Sequence, residues 1–175
     1  KPITGVAMMM LYEEGRWRLN DPVSRYIPEF EQLKVYTGEN SDGSIQKEEL
    51  DRPIMMRELM THTAGLSYTL DMRHPVNRMF RDQRVLNPRE PLQTMIDKMA
   101  MLPLLAQPGT RWIYSSAVDA QSYLVEKLSG QTFAEFLDER IFGPLEMGDT
   151  AFYVPASELG RVAARHRLDG GGGAV

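Results

Sequence analysis

Apolar residues recur along this chain mostly at intervals of three and four, and Gly or Pro interrupts the pattern where a helix would have to stop. From Pro2 to Glu14, residues Ile3, Val6, Ala7, Met10 and Leu11 share one helical face, with Pro2 near the first helical position and Gly15 as the stop. Met8 and Met9 widen the apolar face, which predicts a helix buried on most sides. Gly15 to Pro22 reads as a turn, with Asp21 capping a short helix that begins at Pro22 and ends before Pro28. Leu33, Val35 and Tyr36 predict an extended segment, broken by the polar run Thr37 to Ser44. A small surface hairpin is expected there.

Beyond Pro53, Met56, Leu59 and Met60 predict another helix, broken by Gly65. Between Ser67 and Pro91 the pattern is weak and five arginines are spread among few apolar residues, so loops and short helices are expected. Leu92, Met95, Ile96, Met99 and Leu102 mark a helix that stops near Pro103. Ala117, Ala120, Leu124 and Leu128 then line one helical face, Val118 and Val125 lie on another, and Gly130 ends the helix. Thr132-Phe133-Ala134-Glu135 is a capping box that starts a helix through Phe136, Leu137 and Ile141, terminated by Gly143-Pro144. The chain is therefore mainly helical, without internal repeats.

Its 175 residues suffice for one domain with a real core, and 42% hydrophobic with 25% charged residues are the proportions of a soluble globular protein. A net charge of -4 with no Lys/Arg run argues against a nucleic-acid partner. No apolar run approaches the roughly 18 residues of a membrane span. The absence of cysteine excludes disulfides, thiolate catalysis and Cys-based zinc sites, and leaves the compartment open. None of the three histidines has a partner at ligand spacing, so no metal site is expected: His62 reads as a structural hydrogen-bonding residue, His74 and His166 as surface residues. Gly65-Leu66-Ser67-Tyr68-Thr69 begins like a nucleophile elbow but lacks its final glycine and a preceding apolar strand, which counts against Ser67 as a nucleophile.

Gln107-Pro108-Gly109-Thr110-Arg111-Trp112-Ile113-Tyr114-Ser115-Ser116 stands apart. A Pro-Gly turn leads into a short extended run, and two serines open a helix, an arrangement that can present a phenol and a hydroxyl to a cleft. The same residues also read as scaffold. Ser116, with Asp119 three positions on, is a natural N-cap, and Tyr114 a partly buried aromatic.

Together, Lys1-Pro2-Ile3-Thr4-Gly5, Thr61-His62-Thr63-Ala64-Gly65-Leu66, the stretch from Pro108 to Ser116 and Ile141-Phe142-Gly143-Pro144-Leu145-Glu146-Met147 resemble the serine β-lactamase-like family. Within it the likeness is to class C β-lactamases, DD-peptidases and, above all, family VIII carboxylesterases. The resemblance implies that Lys1 ends the Ser-x-x-Lys motif, whose serine would lie three residues before it, where one helical face brings amine and hydroxyl together. Tyr114 matches the tyrosine of Tyr-x-Asn and is implied to share proton transfer with Lys1. Ser116 holds the position of the asparagine that contacts the amide side chain of β-lactams. A serine there has a shorter reach and different donor capacity, which favours ester over β-lactam hydrolysis. No Lys/His/Trp-x-Gly motif of the oxyanion strand is found.

The expected fold is mainly α as given, the helical-domain segment of an α/β (α+β) serine β-lactamase/transpeptidase-like fold. Residues 1–169 are expected to hold the remainder of the nucleophile helix and the helical domain, and the Gly-rich 170–175 to lead towards a sheet. The expected activity is that of a carboxylesterase-type serine hydrolase acting on short-chain esters through an acyl-enzyme, without a cofactor. Its rivals are a β-lactamase or D-alanyl-D-alanine carboxypeptidase and a non-catalytic binding relative. The expected partner is a small-molecule ester or β-lactam-like substrate, and the oligomeric state is not encoded.

Overall fold

Helix α5 (Ala117–Ser129) is the element against which the others pack, and Ala117, Ala120, Leu124 and Val125 on it are fully buried. The face drawn through 117, 120, 124 and 128 is therefore the core face, with Leu128 half-buried at its end. Val125 is also buried because helices α1 (Pro2–Glu13), α2 (Met56–Met60), α4 (Leu92–Ala100) and α6 (Phe133–Leu137) surround α5. Gly130 adopts φ 78°, the left-handed C-terminal stop that glycine takes without penalty. This computed structural model describes residues 1–164. His166 and the Gly-rich stretch 170–175 lie outside the described residues.

Helix α1 presents Thr4, Ala7, Met8 and Leu11 to the core. The expectation of burial on most sides is corrected: Val6 and Met9 are exposed, because only the face turned to α5 is covered among the described residues. After Gly15 the chain folds back, and the indole of Trp17 donates to the Met8 carbonyl at 2.8 Å. Asp21 does not cap a helix as expected. Its carboxylate accepts from the Arg18 amide and the Tyr26 hydroxyl, closing the turn itself, while Val23–Arg25 forms a single 3₁₀ turn beginning after Pro22.

The hairpin forms from β1 (Lys34–Glu39) and β2 (Ile45–Glu49), paired antiparallel. Thr37 does not break the strand, as the polar run suggested. A bulge between Tyr36 and Gly38 absorbs it, and the turn lies at residues 40–44. The other edge of β1 is tied to Leu104, whose amide donates to Lys34 and whose carbonyl accepts from Tyr36.

Helix α2 ends at Met60, so Gly65 is not its stop. His62, at φ 58°, turns the chain first. Gly65 instead allows a close crossing: at φ 78°, a Cβ would stand 2.2 Å from the Ala106 carbonyl oxygen, and its own carbonyl accepts from Leu105. Helix α3 (Pro75–Asp82) is one of the short helices expected between 67 and 91. His74, read as a surface residue, is half-buried as its N-cap. Its Nδ1 accepts from the Val76 amide and its ring meets Tyr36 edge-on. Leu102 is buried but lies past the end of α4. The capping box at Thr132 and Glu135 is made in both directions, and the turn that follows, Asp138–Phe142, closes with the Gly143 amide on the Asp138 carbonyl. The described residues thus form a helical body with one two-stranded sheet, the mainly α class expected.

Candidate active site

The stretch from Gln107 to Ser116 is held in place before it reaches α5. Glu58, buried on α2, accepts both guanidinium arms of Arg52, at 2.6 and 3.1 Å, and also the Met55 amide. Arg52 then donates to the Pro108 carbonyl at 2.8 Å, which fixes the Pro-Gly turn. Only glycine fits at 109: its φ is 80°, and a Cβ would lie 2.3 Å from Nη2 of Arg52 and 2.9 Å from Oε1 of Glu58.

The stretch then runs alongside residues 62–67. Gly109 donates to Thr63 and Ile113 to His62, each at 2.8 Å. At the far end the Ser116 amide and hydroxyl both donate to the Ser67 carbonyl, at 3.2 and 2.9 Å. Three backbone amides of the loop thus donate to one neighbouring segment, and Tyr114 emerges between two of these anchored points, Ile113 and Ser116.

Lys1 and Tyr114 are brought together. The Lys1 Nζ lies 3.9 Å from the centroid of the Tyr114 ring and 3.4 Å from the Ser115 carbonyl oxygen. The N-terminal ends of α1 and α5 are therefore adjacent, and the ammonium sits over the aromatic face, an electrostatically favourable contact. Tyr114 is 38% exposed, enough for a substrate to reach it. Ser116 is placed otherwise: it is fully buried, and its hydroxyl is spent on Ser67. It occupies the N-cap position of α5 without making a side-chain cap; the Ser115 hydroxyl accepts from the Ala117 amide instead, at 3.4 Å. Ser67 is buried in turn, its carbonyl serving as this anchor.

Three further residues join the pair. The Tyr68 ring stands edge-on to Tyr114 with centroids 6.1 Å apart, and burial pushes its phenol upward, helped by Asp119 and Tyr114. Asp119, in the first turn of α5, has its carboxyl raised by burial, against the attraction of Lys1. His62 stacks on Tyr114 at 5.1 Å and 22°, and burial, reinforced by the Lys1 charge, holds its imidazole below the usual histidine range. Sequence spacing could not assign these three to the site. His62 carried a signal as a member of the Thr61 to Leu66 motif and as a structural hydrogen-bonding residue, Tyr68 only as a neighbour of that motif, and Asp119 only as a first-turn acid.

A cleft of about 330 Å³ opens on the Asp119 side of α5. Leu86, Met95, Phe133 and Phe152 are among its walls, and Asn87, Glu90, Asp119 and Ser122 supply its polar groups. Such a site suits a ligand that is mostly apolar with a few polar contacts.

Comparison with known proteins gives a consistent picture. A family model described as Beta-lactamase matches residues 1–175. An uncharacterized protein of Mycobacterium tuberculosis is 36% identical over 170 residues, which are 97% of this chain and 41% of that protein. The lovastatin esterase of Penicillium rubens is 35% identical over 159 residues, 90% of this chain and 39% of the esterase. Among solved structures, a mutant simvastatin synthase from Aspergillus terreus superposes with a TM-score of 0.80 at 30% identity, covering 98% of this chain and 44% of that one. EstCE1, a hydrolase with promiscuous acyltransferase activity, gives 0.63 at 30% identity, covering 83% and 36%. The chain spans about two fifths of the length of the curated relatives it matches.

Proposed function

This chain belongs to the beta-lactamase family, and from that premise we propose that it supplies the lysine and tyrosine of a serine carboxylesterase working through an acyl-enzyme. The observation that carries the reading is the Lys1 amine over the Tyr114 ring, at the junction of two helix N-termini. In this reading a serine three residues ahead of Lys1 attacks the ester carbonyl. Its proton passes to the Lys1–Tyr114 pair and from there to the departing alcohol oxygen, as an ester bond to the serine forms and the substrate's ester bond breaks. Water then attacks the acyl-serine, gives its proton to the pair, and the serine recovers its hydrogen as the acid leaves.

Two features favour esters over β-lactams. The position that holds an amide-contacting asparagine in the resembling β-lactamases holds Ser116, and that serine is buried. The cleft beside Asp119, with its apolar walls, gives the hydrocarbon half of an ester a place to lie. Ser116 then acts as a positioning residue for the loop, rather than touching substrate. The similarity to the lovastatin esterase of Penicillium rubens points the same way. Transfer of the acyl group to an alcohol instead of water is a second reading, favoured by the likeness to monacolin J acid methylbutanoyltransferase of Aspergillus terreus, 31% identical over 152 residues.

The test compares the full-length protein with the 175-residue chain on p-nitrophenyl acetate and butyrate, with nitrocefin as the β-lactam. Steady ester turnover by the full-length protein only, with at least tenfold lower kcat/KM on nitrocefin, is expected. Faster nitrocefin hydrolysis would make the enzyme a β-lactamase, and inactivity on both substrate classes would favour a non-catalytic binding protein.

A further inference from the structure

His62 touches the catalytic stretch at four successive residues. Its carbonyl accepts from the Ile113 amide at 2.8 Å, and its Nδ1 lies 3.3 Å from both the amide and the hydroxyl of Ser115. Between these two ties its ring stacks on Tyr114, and it meets Trp112 edge-on with centroids 6.2 Å apart. Tyr114 is thus clamped on its N-terminal side, on its C-terminal side and across one ring face by a single residue.

The hydrogen bonds fix the chemical state of that residue. An amide can only donate, so Nδ1 must be an acceptor, and the ring proton of the neutral imidazole is on Nε2. The Ser115 hydroxyl completes the set: it donates to Nδ1 and accepts from the Ala117 amide. The backbone is unusual too. His62 holds φ 58°, a left-handed conformation that side-chain-bearing residues rarely adopt and that tends to be kept where the surroundings over-determine it.

We propose that His62 is a positioning residue for Tyr114, setting the phenol's orientation towards Lys1 by gripping the backbone on both sides of it and packing against its ring. The proposal rests on the esterase reading given above. It assigns His62 no contact with substrate and no proton transfer; the imidazole works as a neutral acceptor and a flat surface. Two substitutions separate its parts. Asparagine tolerates the left-handed backbone and its Oδ1 can stand where Nδ1 does, so it keeps the grip without the ring. Glycine keeps the backbone conformation alone.

The experiment is a double-mutant cycle in the full-length enzyme, with His62→Gly, His62→Asn, Tyr114→Phe and the two double variants assayed on p-nitrophenyl butyrate after their thermal unfolding is checked. His62→Gly is expected to lower kcat about 10- to 100-fold with KM changed less than about threefold, and His62→Asn to recover most of that loss. In the Tyr114→Phe background the further loss from His62→Gly should shrink to less than about threefold. Equal fold losses in both backgrounds, or a near-normal kcat in folded His62→Gly, overturn the role of His62 alone. A Tyr114→Phe enzyme with full activity overturns the catalytic reading of Tyr114 and the His62 proposal with it. Should His62→Gly fail to fold, His62→Ala, which also loses both grip and ring, takes its place in the cycle: loss of kcat there that vanishes with Tyr114→Phe supports positioning, and a near-normal kcat or a loss that persists contradicts it.

Discussion

Lys1 Nζ stands 3.9 Å above the ring of Tyr114 and 3.4 Å from the carbonyl oxygen of the next residue, Ser115. The contact joins the start of the chain to the loop before α5, and it exists because α1 packs along α5 with their N-terminal ends adjacent. Everything that shapes the loop therefore bears on where the phenol meets the amine.

The first prediction concerns the phenol itself. Tyr114→Phe keeps the ring and its contacts with Lys1, His62 and Tyr68 but removes the hydroxyl, so folding should be unchanged. The kcat for ester hydrolysis should fall by about 10²- to 10⁴-fold, the usual worth of a general acid or base. Steady-state kinetics on the full-length enzyme, with circular dichroism as a control for folding, check this.

Ser116→Ala should behave in the opposite way. Its hydroxyl is buried and donates to Ser67, so the substitution leaves a carbonyl with one partner fewer and should cost about 1 kcal/mol of stability, with activity mostly retained. A urea unfolding curve measures the first and an ester assay the second.

The Pro-Gly turn is equally exposed to test. In Gly109→Ala the new methyl would sit within 3 Å of both Arg52 and Glu58 at a backbone φ that alanine disfavours, so the loss should be about 1 to 3 kcal/mol. Because the turn carries Tyr114, kcat should drop along with stability. Leu124→Ala, in contrast, removes a fully buried side chain from α5 far along the helix and should cost about 2 to 5 kcal/mol, seen as a lowered unfolding midpoint.

How far the chain was legible follows from these residues. The core face of α5 and the capping box at Thr132 could be read from spacing, because a helix repeats its pattern and its ends carry chemical punctuation; on α1 the spacing put Val6 on the core face, and it is exposed. Lys1 and Tyr114 came from motifs whose order along the chain matched a known family. What spacing cannot convey is contact across the fold. Arg52 reaching Pro108, His62 stacking on Tyr114 and Asp119 facing the same region depend on how separate segments cross, and no local pattern encodes that. Ser116 illustrates the same limit: its N-cap position was readable, but its hydroxyl is drawn away by Ser67, a residue from another segment.

A pH prediction rests on His62 and His74, both held below the usual histidine range mainly by burial. With folded-state values lower than that of the unfolded chain, about 6.5, the unfolded chain binds more protons just below that pH. Stability contributed by the neutral imidazoles is therefore present above about pH 6.5 and lost as pH falls through their folded-state values. Asp119, raised by burial, acts with the opposite sign, its contribution falling as pH rises above about 3.8. Urea titrations between pH 5 and 7.5 should show stability increasing with pH, and His62→Asn should flatten that rise.

The central claim is that Lys1 and Tyr114 serve a covalent acyl-serine. The most direct measurement is intact-protein and peptide mass spectrometry of the full-length enzyme, acid-quenched during steady-state turnover of p-nitrophenyl butyrate. The account predicts a single butyryl adduct, 70 Da heavier by the chemistry of replacing a hydroxyl hydrogen with an acyl group, on the serine three residues before Lys1. A rapidly turning over enzyme with no adduct at that position, or an adduct on Ser67, Ser115 or Ser116 instead, would contradict it.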